Sequence, residues 1–115
     1  MPTGRLLLVA ADTELRRSLV FALETEGFSV TVRDVPPPRS WLVSNRFDCT
    51  ILDQHALPGP DYESIAFCIK AHPVVLVANA VHPWLAEWVA EVVEMPLRAD
   101  AVSSAVHRAM HDEAA

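Results

Sequence analysis

Residues 47–61 read FDCTILDQHALPGPD. Asp48–Leu52 is a short run with the residue choice of a strand, and it ends at a single carboxylate, Asp53. Gln54–Pro60 follows, and its Pro-Gly-Pro ending predicts an irregular loop. On either side, two runs, Arg5–Val9 (RLLLV, apolar from Leu6 on) and Pro73–Ala78 (PVVLVA), have the unbroken apolar pattern of strands buried on both faces. Phe28–Val32 alternates apolar Val30 and Val32 with Ser29 and Thr31, as a half-exposed edge strand does. Val92–Glu94 makes a fifth short strand.

Helical segments fill the intervals. Asp12 is placed to cap a helix over Glu14–Glu26, whose apolar Leu15, Leu19, Ala22 and Leu23 fall on one face and which Gly27 terminates. Pro36-Pro37-Pro38 breaks the chain and opens a short helix at Arg39–Ser44. Tyr62–Ala71 and a segment from Pro83 to about Ala90 read as two more. Asp100–His111 is the last, with Val102, Ala105, Val106 and Ala109 as its apolar stripe. Strands alternating with helices imply right-handed crossovers and a parallel sheet covered on both sides: an α/β three-layer sandwich with five strands. The pattern leaves the strand order open.

Composition narrows the function. The 115 residues make one domain, 1–115, and with 51% apolar residues the chain can build a core without disulfides or metal. Fifteen acidic against nine basic residues give a net charge of −6, which argues against a nucleic-acid partner or an anionic membrane. No apolar stretch approaches the roughly 20 residues that cross a bilayer, and no secretory leader is visible, so a cytoplasmic domain is expected. Cys49 and Cys68 lack the spacing of a zinc or redox site and read as buried apolar residues.

Ligands of such sheets bind beyond the carboxyl ends of the strands. Those ends here are Ala10-Ala11-Asp12, Asp53, Ala78-Asn79 and Met95-Pro96. No glycine-rich phosphate loop and no nucleophile elbow is present, so a hydrolase or a dinucleotide enzyme finds no support. Asp53 is the one acid at a strand end facing the crevice.

With these residues in view, the chain resembles the receiver domain of two-component response regulators. LLLVAADTELR matches the first strand and helix start, FDCTILDQHALPGPD the third strand with its terminal acid and loop, and VVEMPL the fifth strand with its proline. The resemblance spans about Arg5 to Met110 and implies the flavodoxin-like strand order 2-1-3-4-5, with Asp53 at the phosphoacceptor position and Met95-Pro96 at a cis peptide bond. The departures are extensive. The acidic pair of the family is Ala10 and Ala11 here, the hydroxyl residue is Ala78, the lysine is Met95 and the aromatic switch residue is Val92.

The chemistry of those positions sets the expectation. Placing a phosphoryl group on a carboxylate brings two anions together, and a divalent cation must offset both. Mg²⁺ needs several oxygen ligands in octahedral array, whereas Asp53 would hold it almost alone. Missing donors to the phosphoryl oxygens are often worth several kcal/mol each. Mg²⁺ binding is therefore expected to be weak or absent, no cofactor is expected, and phosphotransfer is expected to be abolished or very slow. A one-residue slip of the first strand could bring Asp12 into the pair, because both faces of that strand are apolar.

Without the phosphorylation switch, output falls to protein contact, and the resemblance implies the surface of the fourth helix, fifth strand and fifth helix. Trp84 and Trp88 lie four apart on the expected fourth helix, beside a second apolar line of Leu85, Val89 and Val92. Two readings stay open: the tryptophans anchor a protein partner or self-association, or they fill the core. His107 and His111 share a helix face without a third ligand, and His55 falls in the loop after Asp53 with nothing to activate. The expected function is that of a degenerate receiver working by protein contact, not an enzyme. The alternatives are a receiver still phosphorylated on Asp53, and a small-molecule sensor using the apolar crevice around Ala10, Ala11, Ala78 and Met95.

Overall fold

The two runs that the sequence marks as apolar on both faces are buried over residues 6–9 and 73–78, and helices cover both faces of the sheet. The computed structural model describes residues 4–59, 61–98 and 100–114. Pro60, the last residue of the loop after Asp53, and residues 1–3, read above as lacking a leader, lie outside the described residues. The chain runs β1 (Gly4–Val9), α1 (Thr13–Thr25), β2 (Phe28–Arg33), α2 (Arg39–Ser44), β3 (Cys49–Asp53), α3 (Tyr62–Lys70), β4 (Val74–Ala78), α4 (Pro83–Ala86), β5 (Glu91–Glu94) and α5 (Ala101–Ala114). All four strand pairs are parallel, and the order is β2-β1-β3-β4-β5. That is the order the resemblance implies.

Side-chain alternation along the strands divides the core in two. Leu6, Leu8 and Ala10 of β1, Cys49 and Ile51 of β3, and Val75 and Val77 of β4 meet Leu19 and Leu23 of α1 and Val102, Ala105, Val106 and Ala109 of α5. On the other face, Leu7 and Val9, Leu52, Val74 and Leu76 meet Leu42 of α2, Phe67 and Cys68 of α3, and Leu85 of α4. The three-layer sandwich is present as expected. Phe28–Arg33 is an edge strand with Val32 exposed.

Local signals act where the sequence places them. Asp12 Oδ1 accepts the Leu15 amide at 2.9 Å and caps α1. β1 pairs with both neighbours through Leu6, opposite Val30 of β2 and Cys49 of β3. Gly27 leaves α1 with φ 96°, a conformation that favours glycine. Asp61 Oδ1 caps α3 through the Ser64 amide at 2.8 Å. Met95-Pro96 is cis, as expected, and so is His72-Pro73.

Two expectations need correction. The loop after Asp53 is not wholly irregular: Gln54–Ala56 makes one 3-10 turn, capped by Asp53 itself. The fourth helix does not reach Ala90; it stops at Ala86 after one turn. The Ala90 amide instead bonds Val74 O at 2.8 Å, which commits the chain to β5 almost at once. The shared helix face assumed for Trp84 and Trp88 is therefore not formed by a continuous helix.

Candidate functional site at the carboxyl ends of the strands

The parallel sheet brings the carboxyl ends of β1, β3, β4 and β5 to one edge, and with them the residues singled out above. Asp53 closes β3 and is 4% exposed. Its Oδ1 accepts the backbone N–H of His55 at 3.1 Å, two residues on, in an Asx-type turn. The His55 ring itself is exposed. Ala10 is fully buried and bonds through its N–H to Arg33 O at 3.0 Å, which continues the β1–β2 ladder past its last strand residue. Ala11 is exposed.

Ala78 is buried at the end of β4, and its carbonyl accepts the Met95 amide at 2.9 Å. Met95 is half-buried and packs on the same core cluster as Ala10. Val92 lies on β5 opposite Leu76, on the sheet face of α2, α3 and α4, and is 37% exposed.

Among the described residues, no three His, Cys, Asp or Glu side chains come together in a group able to hold a metal. Positive charge is instead supplied by the protein near the end of β1. Arg16, one turn into α1, donates from Nη1 to Ala10 O at 2.8 Å and Ala11 O at 3.3 Å. A guanidinium held on these carbonyls satisfies the strand end without a carboxylate. The described residues here orient a loop and present a carboxylate.

Two residues at this edge escaped the sequence reading. Arg16 is visible only as one cation among scattered arginines. Gln54 is buried directly after Asp53, where its Nε2 donates to Ala80 O at 2.8 Å and its Oε1 accepts the His82 amide at 2.9 Å. The signal available was weak: an uncharged amide next to a strand end, in a loop taken as irregular.

The tryptophans sit close by, on the β4–β5 connection. Both are half-buried against the core that contains Leu85, and the ring of Trp84 stacks on His82 with centroids 6.2 Å apart. His107 and His111 are exposed on α5, His107 with its ring 5.3 Å from that of Phe28. Burial pushes the Cys49 thiol up to about 12 and that of Cys68 to about 11, as inert core thiols require. No helix among the described residues is long and apolar enough to cross a membrane.

The sequence matches no family model and no curated protein. Solved structures do match. The chemotaxis protein CheY4 of Vibrio cholerae superposes with a TM-score of 0.74 at 14% identity, over 92% of this chain and 98% of that one. A two-component response regulator from Clostridium difficile gives 0.76 at 17%, over 98% and 100%. Full-length FixJ from B. japonicum gives 0.76 at 22%, over 97% of this chain but only 60% of its own. At these identities the likeness is one of fold, and the fold is that of response-regulator receivers.

Proposed function

We propose that this chain is a receiver-like signalling domain of the cytoplasm that works by protein contact and without phosphorylation. The observation behind the reading is the isolation of Asp53. The resemblance gives Asp53 the phosphoacceptor position, the residues that share its edge of the sheet include Ala10, Ala78 and Met95, and its own Oδ1 accepts the His55 amide. A phosphoryl group arriving there would meet apolar side chains where transfer needs cations and donors, and the Arg16 guanidinium near the end of β1 is already held on the Ala10 and Ala11 carbonyls. On this reading the domain performs no catalysis.

Contact is assigned to the surface of α4, β5 and α5. Trp84 and Trp88 retain part of their area at the surface, and Val92 is exposed on the same side of the sheet. Half-exposed tryptophans fit the anchors of protein interfaces, which favour large amphipathic side chains. A protein partner or a second copy would take this face. The net charge of −6 disfavours nucleic acid and anionic lipid.

The decisive experiment is intact-mass spectrometry after incubation with a small-molecule phosphodonor and Mg²⁺, with Asp53→Asn run alongside. The expected mass is unchanged for both proteins. A gain of one phosphoryl group by the parent and none by Asp53→Asn would establish a working phosphoacceptor and overturn the reading.

A further inference from the structure

Gln54 places one hydrogen-bond donor and one acceptor against two backbone groups of a single short segment. That segment, 79–82, joins β4 to α4 and belongs to no helix or strand. The Gln54 amide bonds Ala80 O and the His82 N–H, the residues on either side of Val81. The pairing fixes the amide's orientation, since exchanging its oxygen and nitrogen would set acceptor against acceptor and donor against donor. Because the side chain is buried, breaking either bond without replacement leaves a desolvated polar group.

The held segment leads directly to the surface assigned to contact. His82 is the residue before α4, and no side chain caps that helix. The His82 carbonyl accepts the Leu85 amide at 2.9 Å, and the His82 ring stacks on Trp84. Beyond the two Gln54 bonds, Val81 lies half-buried on the core and helps to seat the segment. One side chain, adjacent in sequence to Asp53, thus spans from the end of β3 to the base of the Trp84 surface.

We infer that Gln54 is a latch that pins the β4–α4 segment to the end of β3 and so holds the Trp84 surface in one arrangement. This deepens the proposed function: a domain whose output does not depend on phosphorylation needs its contact surface preset, and the latch presets it from the residue next to the unused acid.

Backbone amide hydrogen exchange, followed by NMR on the parent chain, Gln54→Met and Gln54→Glu, tests the latch. Methionine keeps the length of the side chain and removes both bonds. Glutamate keeps an acceptor for His82 but turns a second acceptor toward the Ala80 carbonyl. The His82 amide is expected to be protected in the parent and to lose at least about tenfold of that protection in both variants. The sheet amides of Ala10 and Thr50, which bond Arg33 O and Pro73 O, are expected to hold theirs. An unprotected His82 in the parent, or unchanged protection in Gln54→Met, overturns the latch. An equal loss at His82, Ala10 and Thr50 overturns it too, because Gln54 would then support the whole fold rather than this segment. The exchange is measured on the unmodified chain, so phosphorylation of Asp53 would overturn the contact-only reading while leaving this result to stand by itself.

Discussion

The two faces of the sheet are covered by different means. On one face α1, 13 residues, and α5, 14 residues, lay regular apolar stripes of Leu, Val and Ala over β1, β3 and β4. On the other, α2 has six residues, α3 nine and α4 four, too short to cover the same strands by helical stripes alone. Aromatic side chains make up the difference there. Trp41, Phe47, Trp84 and Trp88 are partly buried against Leu7, Leu52, Leu76 and Leu85. A single aromatic side chain can bury about 150–250 Å², so a few of them replace a turn or two of helix. Helix length and aromatic mass are interchangeable as cover, but the second kind leaves amphipathic rings at the surface.

The largest expected effect tests how little holds α4 in place. Leu85 is the single fully buried side chain of that one-turn helix. A four-residue helix has no stability of its own, so its position comes from this anchor and from the segment before it. Leu85→Ala is expected to cost about 3 kcal/mol in urea unfolding, the middle of the range for leucine truncation in a core. A cost below about 1 kcal/mol, the level of surface changes and mild repacking, would show that the second face is not organised around Leu85.

A smaller effect separates cover from ornament. Trp84 on the second face is half-buried, whereas Phe21 on α1 is 75% exposed and points away from the stripe formed by Leu19 and Leu23. Trp84→Ala is expected to cost about 2 kcal/mol, short of the range for fully buried aromatics. Phe21→Ala is expected to stay within about 0.5 kcal/mol. Equal costs for the two would mean that the aromatic rings of the second face are not structural cover, and the comparison of faces would lose its main support.

The same contrast governs how much could be read from the sequence. The long helices and doubly apolar strands announce themselves, because Leu15-Leu19-Leu23 and RLLLV have periods that survive any context. The strand order came only with the resemblance, since apolar runs do not say which strand is their neighbour. The fourth helix departs from its pattern: Trp84, Leu85, Trp88 and Val89 have helical spacing, yet the Ala90 amide finds a sheet partner in Val74 and the chain turns early. Tertiary pairing overrode local period. At the strand ends, the apolar residues Ala10, Ala11, Ala78 and Met95 are legible residue by residue, but the contacts around them are not. Arg16 on the Ala10 and Ala11 carbonyls and Gln54 on Ala80 and His82 are contacts to backbone, which a sequence does not display.

The two cysteines report on the two faces separately and carry the smallest expected difference. Cys49 belongs to the face of α1 and α5, Cys68 to the face of α2, α3 and α4, and both are buried. Desolvation raises both thiols from 9.0, Cys49 to about 12 and Cys68 to about 11. A folded thiol is therefore almost wholly protonated at pH 8, and a disulfide reagent must wait for an opening that exposes it. Openings of short, separately held elements are cheaper than openings of two long helices, so Cys68 is expected to label about tenfold faster than Cys49. Equal rates would mean that both faces open only together, in global unfolding. The pH dependence has a fixed sign: above pH 9 the unfolded chain gives up thiol protons that the folded chain retains, so stability is full below that pH and falls as pH rises toward 11 and 12. Replacing both cysteines with alanine removes that alkaline loss, and its persistence in the double variant would assign it to other groups.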